Sequence, residues 1–419
     1  NTSELYQIFR KYPRICTDSR KIVKDGLFFA LKGNNFNGNQ FAKQAVKNGC
    51  KYAIIDEKEY LSENCILVKN VLGSLQSLSS YHRDTLNIPI IGITGTNGKT
   101  TTKELISTTL SEKYNCYATK GNLNNHIGVP LSLLEITDQI EIAVIEMGAN
   151  HIGEIDFLCQ LSKPTHGIIT NIGMAHLEGF GNFEGVIKGK SELYKYINKA
   201  NGTLFVNNED LLLKDLSKGI DKMTYGKNDS SDYQAKLKNS FPFVTIEIDK
   251  KIMKSNLIGN FQFENILSAS CIANHFKVHL DNIKKSIENY IPTNNRTQVI
   301  NTENNYLVLD AYNANPSSMN HMIESFSELK NENKICILGD MLELGAFSKV
   351  EHEKIVQLTN NFDLETVFIG IEFNKISNKN TFLSVTEFTE YLKQHPYNNK
   401  SILLKGSRGM KLETLVEHL

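Results

Sequence analysis

The chain lacks any surplus of charge: 46 Lys and Arg stand against 46 Asp and Glu in 419 residues. Such a balance argues against a nucleic-acid or anionic-membrane binder and leaves room for no more than a local basic pocket. No apolar run approaches the roughly 18 residues that span a bilayer. The opening NTSELYQIFRKYPRICTDSR has no signal-peptide core, so a cytoplasmic chain without a membrane span is expected. The seven cysteines, Cys16, Cys50, Cys65, Cys116, Cys159, Cys271 and Cys336, are odd in number, scattered and never in a C-x-x-C pair. Buried reduced thiols are therefore expected rather than a disulfide or zinc framework. Internal repeats and low-complexity tracts are also missing. What remains is an ordinary globular composition, 40% hydrophobic and 22% charged, in a length suited to two to four domains.

Three α/β regions can be read. Residues 1–86 form a small module with short β-type segments at 26–31 and 52–55 and a helical stretch near 41–47. Residues 87–292 open with a buried strand at 90–94, a Gly-rich turn and a helix over 101–110. Further apolar runs follow at 142–145, 167–170 and 203–206. Strands alternating with helices predict a mainly parallel sheet covered on both faces. Residues 232–257 read as antiparallel, with alternation over 243–248, and a helix is expected over 265–276. Residues 293–419 read as a second doubly wound, Rossmann-like unit with strands at 306–309, 334–338, 366–369 and 401–404. Ligands in such sheets sit beyond the carboxyl ends of the strands, so the loops there are where chemistry is expected.

The strongest local signal is the run Gly95-Thr96-Asn97-Gly98-Lys99-Thr100-Thr101 between a strand and a helix. Glycines let backbone N–H groups converge on phosphate oxygens, and the helix N-terminus adds positive potential. Lys99 is placed to reach the β/γ-phosphates and the Thr100 hydroxyl to ligate Mg²⁺. Ile93 occupies the position where the full Walker spacing needs glycine, so the loop is a shortened variant. A GTPase would carry N-K-x-D, which does not occur, and an ATPase motor would usually end a strand in a metal-binding Asp. The strand at 142–145 runs instead into Glu146-Met147-Gly148-Ala149.

At these residues the chain resembles the Mur ligase family. Residues 92–104 match its ATP loop, and the runs 121–130, 171–178, 310–316, 338–345 and 405–409 follow in family order. Among the family's activities, the runs 310–316 and 338–345 look like those of the ligase that joins D-alanyl-D-alanine to UDP-N-acetylmuramoyl-tripeptide in peptidoglycan-precursor synthesis. The resemblance implies a stepwise reaction. ATP phosphorylates the tripeptide's terminal carboxylate, the dipeptide amine attacks the acyl phosphate, and the tetrahedral adduct collapses to an amide, ADP and phosphate. It also implies a monomer of three domains: 1–86 for the UDP-muramoyl end, 87–292 for ATP, and 293–419 as the Rossmann-like ligase domain.

The same resemblance nominates residues. Glu146 becomes a Mg²⁺ ligand beside Thr100, and His176 binds a second Mg²⁺. Lys190 matches a lysine that is carbamylated in the family, with Lys188 two residues away as the competing assignment. Carbamylation turns a cation into a carboxylate-like anion, and CO₂ adds only to the neutral amine. For the nucleoside the resemblance nominates Asn265 at adenine, Arg296 at phosphate and Asp310 at the ribose hydroxyls. Phe261 and Gln262 depart here from the common His-Asn. Ser19 and Arg20 are nominated for the UDP-sugar, although Asn37-Gly38-Asn39 replaces the usual Asp-Gly-His. Asn124, Asn125 and His126 are nominated for the tripeptide, and Asn313, Asn315 and the 338–345 loop for D-alanyl-D-alanine or ATP.

Blander readings stand beside these. Arg20 read as a surface charge, Asn265 and Asp310 as caps, His176 as structural and Lys190 as a solvated helix lysine need no ligand. Two other functions stay open: a sister ligase adding a single amino acid, including a folylpolyglutamate synthase-like enzyme, and a nucleotide-binding protein without catalysis.

Overall fold

The computed structural model describes residues 1–240, 242–293, 295–330, 333–376 and 380–419. Its amino-terminal sheet is four-stranded and parallel, in the order Ile15–Cys16, Leu27–Phe29, Tyr52–Ile55, Cys65–Leu67. Two helices not anticipated from the sequence pack on it, Thr2–Lys11 and Val71–Thr85. Asn1 caps the first through a capping box with Glu4, satisfying N–H groups that have no intrahelical partner. Leu5, Phe9, Leu75 and Leu78 of these helices close over Leu27, Phe29 and Ile54. Each large apolar side chain so buried contributes about 1.5–3 kcal/mol.

The central sheet has seven strands, all parallel, in the order Tyr233–Gln234, Lys222–Gly226, Thr203–Asn207, His166–Ile169, Ile90–Thr94, Ile142–Glu146, Cys116–Ala118. Alternate residues feed two cores. Ile91, Ile93, Ile142 and Val144 face the helix Gln262–His275, while Ile90, Ala143 and Ile145 face the opposite layer. This period-2 division is what the near-continuous apolar strands encode. One expectation needs correcting. The stretch 232–257 is antiparallel only from Lys236 onward, in the small sheet of Lys236–Asn239, Thr245–Ile248 and Lys251–Lys254. Tyr233–Gln234 instead continues the parallel sheet beside Tyr225–Gly226, because Tyr233 belongs to the central core.

The carboxyl-terminal sheet has six strands, in the order Gln298–Asn301, Tyr306–Asp310, Ser401–Lys405, Lys334–Gly339, Glu365–Ile369, Thr381–Phe382. It is parallel except for its first strand, which pairs antiparallel with the second. Leu307, Leu309, Ile335 and Ile337 pack on one face, and Val308, Cys336 and Leu338 on the other.

Connections in the central sheet fix where a ligand is expected. After Ile90–Thr94 the chain runs toward Cys116–Ala118; after the adjacent strand His166–Ile169 it runs the other way, toward Thr203–Asn207. The crevice between the carboxyl ends of these two strands is the topological switch point. The loops 95–98 and 170–176 both leave from it.

Candidate active site

The glycines of the phosphate loop serve packing as well as conformation. Gly95 and Gly98 have φ of +142° and +77°. A Cβ at Gly95 would sit 2.0 Å from Thr170 Oγ1, and one at Gly98 would sit 2.6 Å from Asn265 Oδ1. The loop is pinned to the neighbouring crossover: Asn97 N–H donates to Asn171 Oδ1 at 2.9 Å, and Thr170 Oγ1 donates to the Asn97 carbonyl at 2.6 Å. The helix Lys99–Ser111 starts directly after it with no side-chain cap and no acidic residue in its first turn. Its free N–H groups and positive end are thus left for an anion. Lys99 Nζ folds back on the carbonyls of Gly95 and Thr96 at 2.7 and 2.9 Å.

Acidic chemistry sits beside this cradle. Thr100 Oγ1 donates to Glu146 Oε2 at 2.9 Å, and Asn124 Nδ2 donates to Glu146 Oε1 at 2.9 Å. Mg²⁺–oxygen bonds of about 2.1 Å place neighbouring ligands of an octahedron about 3.0 Å apart. The Thr100 and Glu146 oxygens are already at that spacing, so the donor set fits Mg²⁺.

A single cavity of about 870 Å³ unites these groups with the carboxyl-terminal domain. It brings together Thr96, Asn97, Gly98, Lys99, Thr100, Thr101, Asn124, Asn125, His126, Glu146, His176, Lys190, Asn265, Arg296, Asp310, Asn313 and Asn315. Among the described residues, Lys99 and Lys190 make no ion pair. Burial pushes Lys99 down to about 8, and burial together with the charge of Lys99 pushes Lys190 down to about 7. Burial also lowers His176 against the pull of Glu343, with Lys99 and Lys190 adding to the lowering. Two buried donors at the cavity, Asn97 Nδ2 and Arg296 Nε, have no hydrogen-bond partner among the described residues. A pocket with depressed cations and orphaned donors is organised for a polyanion.

Lys190 ends the helix Phe183–Lys190 with its side chain buried, Nζ 3.3 Å from the Ala149 carbonyl and 5.5 Å from the Phe180 ring centre. Lys188 is exposed, so of the two lysines only Lys190 reaches the cavity. Asn265 is not the cap of its helix, which begins at Gln262. Its side chain accepts from Thr102 Oγ1 and donates to Gln262 Oε1, backing the phosphate loop. Asp310 ends a strand, accepting from Thr297 N–H at 3.1 Å and Lys405 Nζ at 2.5 Å. Arg296 lies flat on the Tyr312 ring, 3.6 Å from its centre. Asn315 caps the helix Pro316–Ser327 and donates to Asn97 Oδ1 at 2.8 Å, tying the two domains at the phosphate loop. Asn125 caps the chain turn before Gly128–Leu134, and His126 and Asn313 line the wall.

Ser19 and Arg20 lie outside this cavity. Arg20 is exposed and makes a two-pronged pair with its near neighbour Asp18, holding that carboxyl well below its usual range. The amino-terminal domain reaches the cavity through Gln76, which also donates to the His126 carbonyl. Several cavity residues had no individual role in the sequence reading, among them the titratable Glu154, Glu343 and His321 and the buried Lys405. Glu343 and Lys405 fall inside runs that carried the resemblance; His321 has no signal beyond its type.

Family models match three consecutive segments: Mur ligase family, catalytic domain, over residues 11–92; Mur ligase middle domain over 93–273; and Mur ligase, glutamate ligase domain, over 295–408. The chain belongs to the Mur ligase family. With that family it is a ligase, built of the amino-terminal, middle and carboxyl-terminal Mur ligase domains. The UDP-N-acetylmuramoyl-tripeptide–D-alanyl-D-alanine ligase of Bacillus subtilis is 32% identical over 427 residues, covering 97% of this chain and 92% of its own. A crystal structure of MurF from Acinetobacter baumannii matches with a TM-score of 0.88 at 30% identity, covering 100% of this chain and 98% of that one. MurF from Thermotoga maritima, solved in complex with ADP, matches with a TM-score of 0.85 at 27% identity, covering 97% and 96%.

Proposed function

We propose that this chain joins D-alanyl-D-alanine to UDP-N-acetylmuramoyl-tripeptide at the expense of ATP, giving the pentapeptide precursor, ADP and phosphate. The observation that carries this reading is the meeting, in one cavity, of the phosphate loop, the Thr100–Glu146 pair and the carboxyl-terminal loops. The chemical difficulty is that a carboxylate must attack a polyphosphate. Lys99 and the uncapped helix start hold the phosphates, while Arg296 and Asn97 offer their unpaired donors. Thr100 and Glu146 would hold Mg²⁺, which when bound supplies charge neutralisation between the two anions. His176 and Lys190, the latter as a carbamate, would hold a second ion. The neutral amine that a pKa of about 7 provides is the form that takes up CO₂.

The carboxylate oxygen forms its bond to the γ-phosphorus as ADP leaves. The dipeptide's neutral amine then attacks the acyl carbon, phosphate departs with the former carboxylate oxygen, and the amine's extra proton is released. Asn313 and Asn315 suit the dipeptide side, Asn124, Asn125 and His126 the tripeptide side, and Asp310 and Asn265 the nucleoside side. Ser19 and Arg20 suit the UDP end, in a module we take as residues 1–86, ahead of the ATP-binding part 87–292 and the carboxyl-terminal part 293–419. No helix among the described residues is long and apolar enough to cross a membrane, and all seven cysteines are free. Both features suit a cytoplasmic chain, which we take as a monomer on the family resemblance.

Mass spectrometry of the product from UDP-tripeptide, ATP and D-alanyl-D-alanine tests the reading. Pentapeptide is expected. Phosphate release driven instead by L-glutamate or meso-diaminopimelate would assign a sister activity, and ATP binding without any amide would assign a non-catalytic role.

A further inference from the structure

One contact crosses the cavity from the middle domain to the carboxyl-terminal domain. His176 leaves the switch-point crossover of the middle domain, and Glu343 sits on the loop after the strand Lys334–Gly339 of the carboxyl-terminal domain. Their Nδ1 and Oε2 atoms are 2.5 Å apart. Both are non-glycine residues in left-handed backbone, with φ of +51° and +63°. Side chains rarely adopt that conformation, and it persists where surrounding structure enforces it, often at functional sites. The turn beside the contact reinforces it: Gly345 also has a positive φ, and a Cβ there would lie 3.6 Å from Glu178 Cβ. A stabilising surface ion pair is a poor explanation, because the Glu343 side chain is 58% exposed, and exposed pairs hold proteins together weakly.

A carboxylate at Nδ1 does something else. It keeps the proton on Nδ1 and leaves Nε2 as a bare nitrogen, the arrangement that carboxylate partners impose on metal-binding imidazoles. We propose that Glu343 is a positioning residue that sets His176 as the Nδ1–H tautomer and so presents Nε2 as its ligating nitrogen. The proposal rests on the ligase reading above for its metal. It concerns a tautomer that exists without metal or substrate, so the two fail separately.

The test uses the full chain with ¹⁵N-labelled histidine, free of nucleotide and metal. In the wild type the His176 shifts are expected to report Nδ1–H. In Glu343→Ala they move to Nε2–H, the form a free neutral imidazole prefers, while Glu343→Gln, whose amide oxygen still accepts from Nδ1, stays close to wild type. In turnover, Glu343→Ala raises the Mg²⁺ concentration for half-maximal rate by about 10–100-fold. Glu343→Gln recovers most of the loss. A wild-type His176 in the Nε2–H form overturns the proposal. So does an alanine variant with unchanged tautomer, whether its metal dependence is unaltered or X-ray scattering shows only that the domains have swung apart, the mark of a plain latch.

Discussion

The two ends of the proposed substrate path are built differently. At the phosphate loop the side chains are held by one another, with backbone donors left over for an anion: Thr100 bonds Glu146, Glu146 bonds Asn124, and Asn97 bonds Asn171 and, across the domain boundary, Asn315. At Arg20 the hydrogen bonds among the described residues are local, and the guanidinium stands in solvent with Asp18. The reacting end is thus preorganised, with geometry fixed before ligands arrive, whereas the anchoring end is free to rearrange around its ligand. Preorganised donors lower a barrier because nothing has to move when charge develops. A mobile cation secures affinity, and its loss is felt in binding rather than in chemistry.

The contrast can be broken by mutation. The largest effect is expected for Lys99→Ala, which removes the cradle's fixed cation and should lower kcat by about 10²–10³-fold; steady-state phosphate release measures it, and near-normal turnover would remove the phosphate-loop assignment. Lys190→Ala should abolish most activity, and a small added carboxylic acid should restore part of it by replacing the missing anion; activity without rescue would reduce Lys190 to a packing residue. Acid offers a milder probe. The Lys190 amine is neutral above its pKa of about 7 and is protonated as pH falls through that value. At fixed dissolved CO₂, the carbamate signal in ¹³C NMR should therefore rise from pH 6 to pH 8 (about 10-fold per pH unit in the neutral-to-charged ratio). The smallest effect belongs to the anchoring end: Arg20→Ala should raise KM for the UDP-tripeptide about tenfold with kcat nearly unchanged. A collapse of kcat there would erase the distinction between the two ends.

The same division governs what could be read from sequence. Residues 95–101 announce themselves because strand, turn and helix start are contiguous, and local backbone chemistry fixes them. The parallel strands at 90–94 and 142–146 are legible for a related reason, since burial on both faces writes apolar runs. The helix Val71–Thr85 went unread because Gly73 and its four serines weaken the helical signature that packing on Leu27 and Phe29 overrides. Pairings through space left no trace. Lys405 with Asp310 and Glu343 with His176 join residues 95 and 167 positions apart, which no spacing rule connects. Choosing Lys190 over Lys188 likewise needed the helix to be placed before one lysine turned inward and the other out.

The central claim is that this cavity lets a carboxylate attack the γ-phosphorus of ATP. Tripeptide substrate bearing ¹⁸O in its terminal carboxylate tests it most directly. The account predicts one labelled oxygen in each phosphate released alongside the amide. Unlabelled phosphate, with the second heavy oxygen lost to water as the amide forms, would mean that no acyl phosphate forms here.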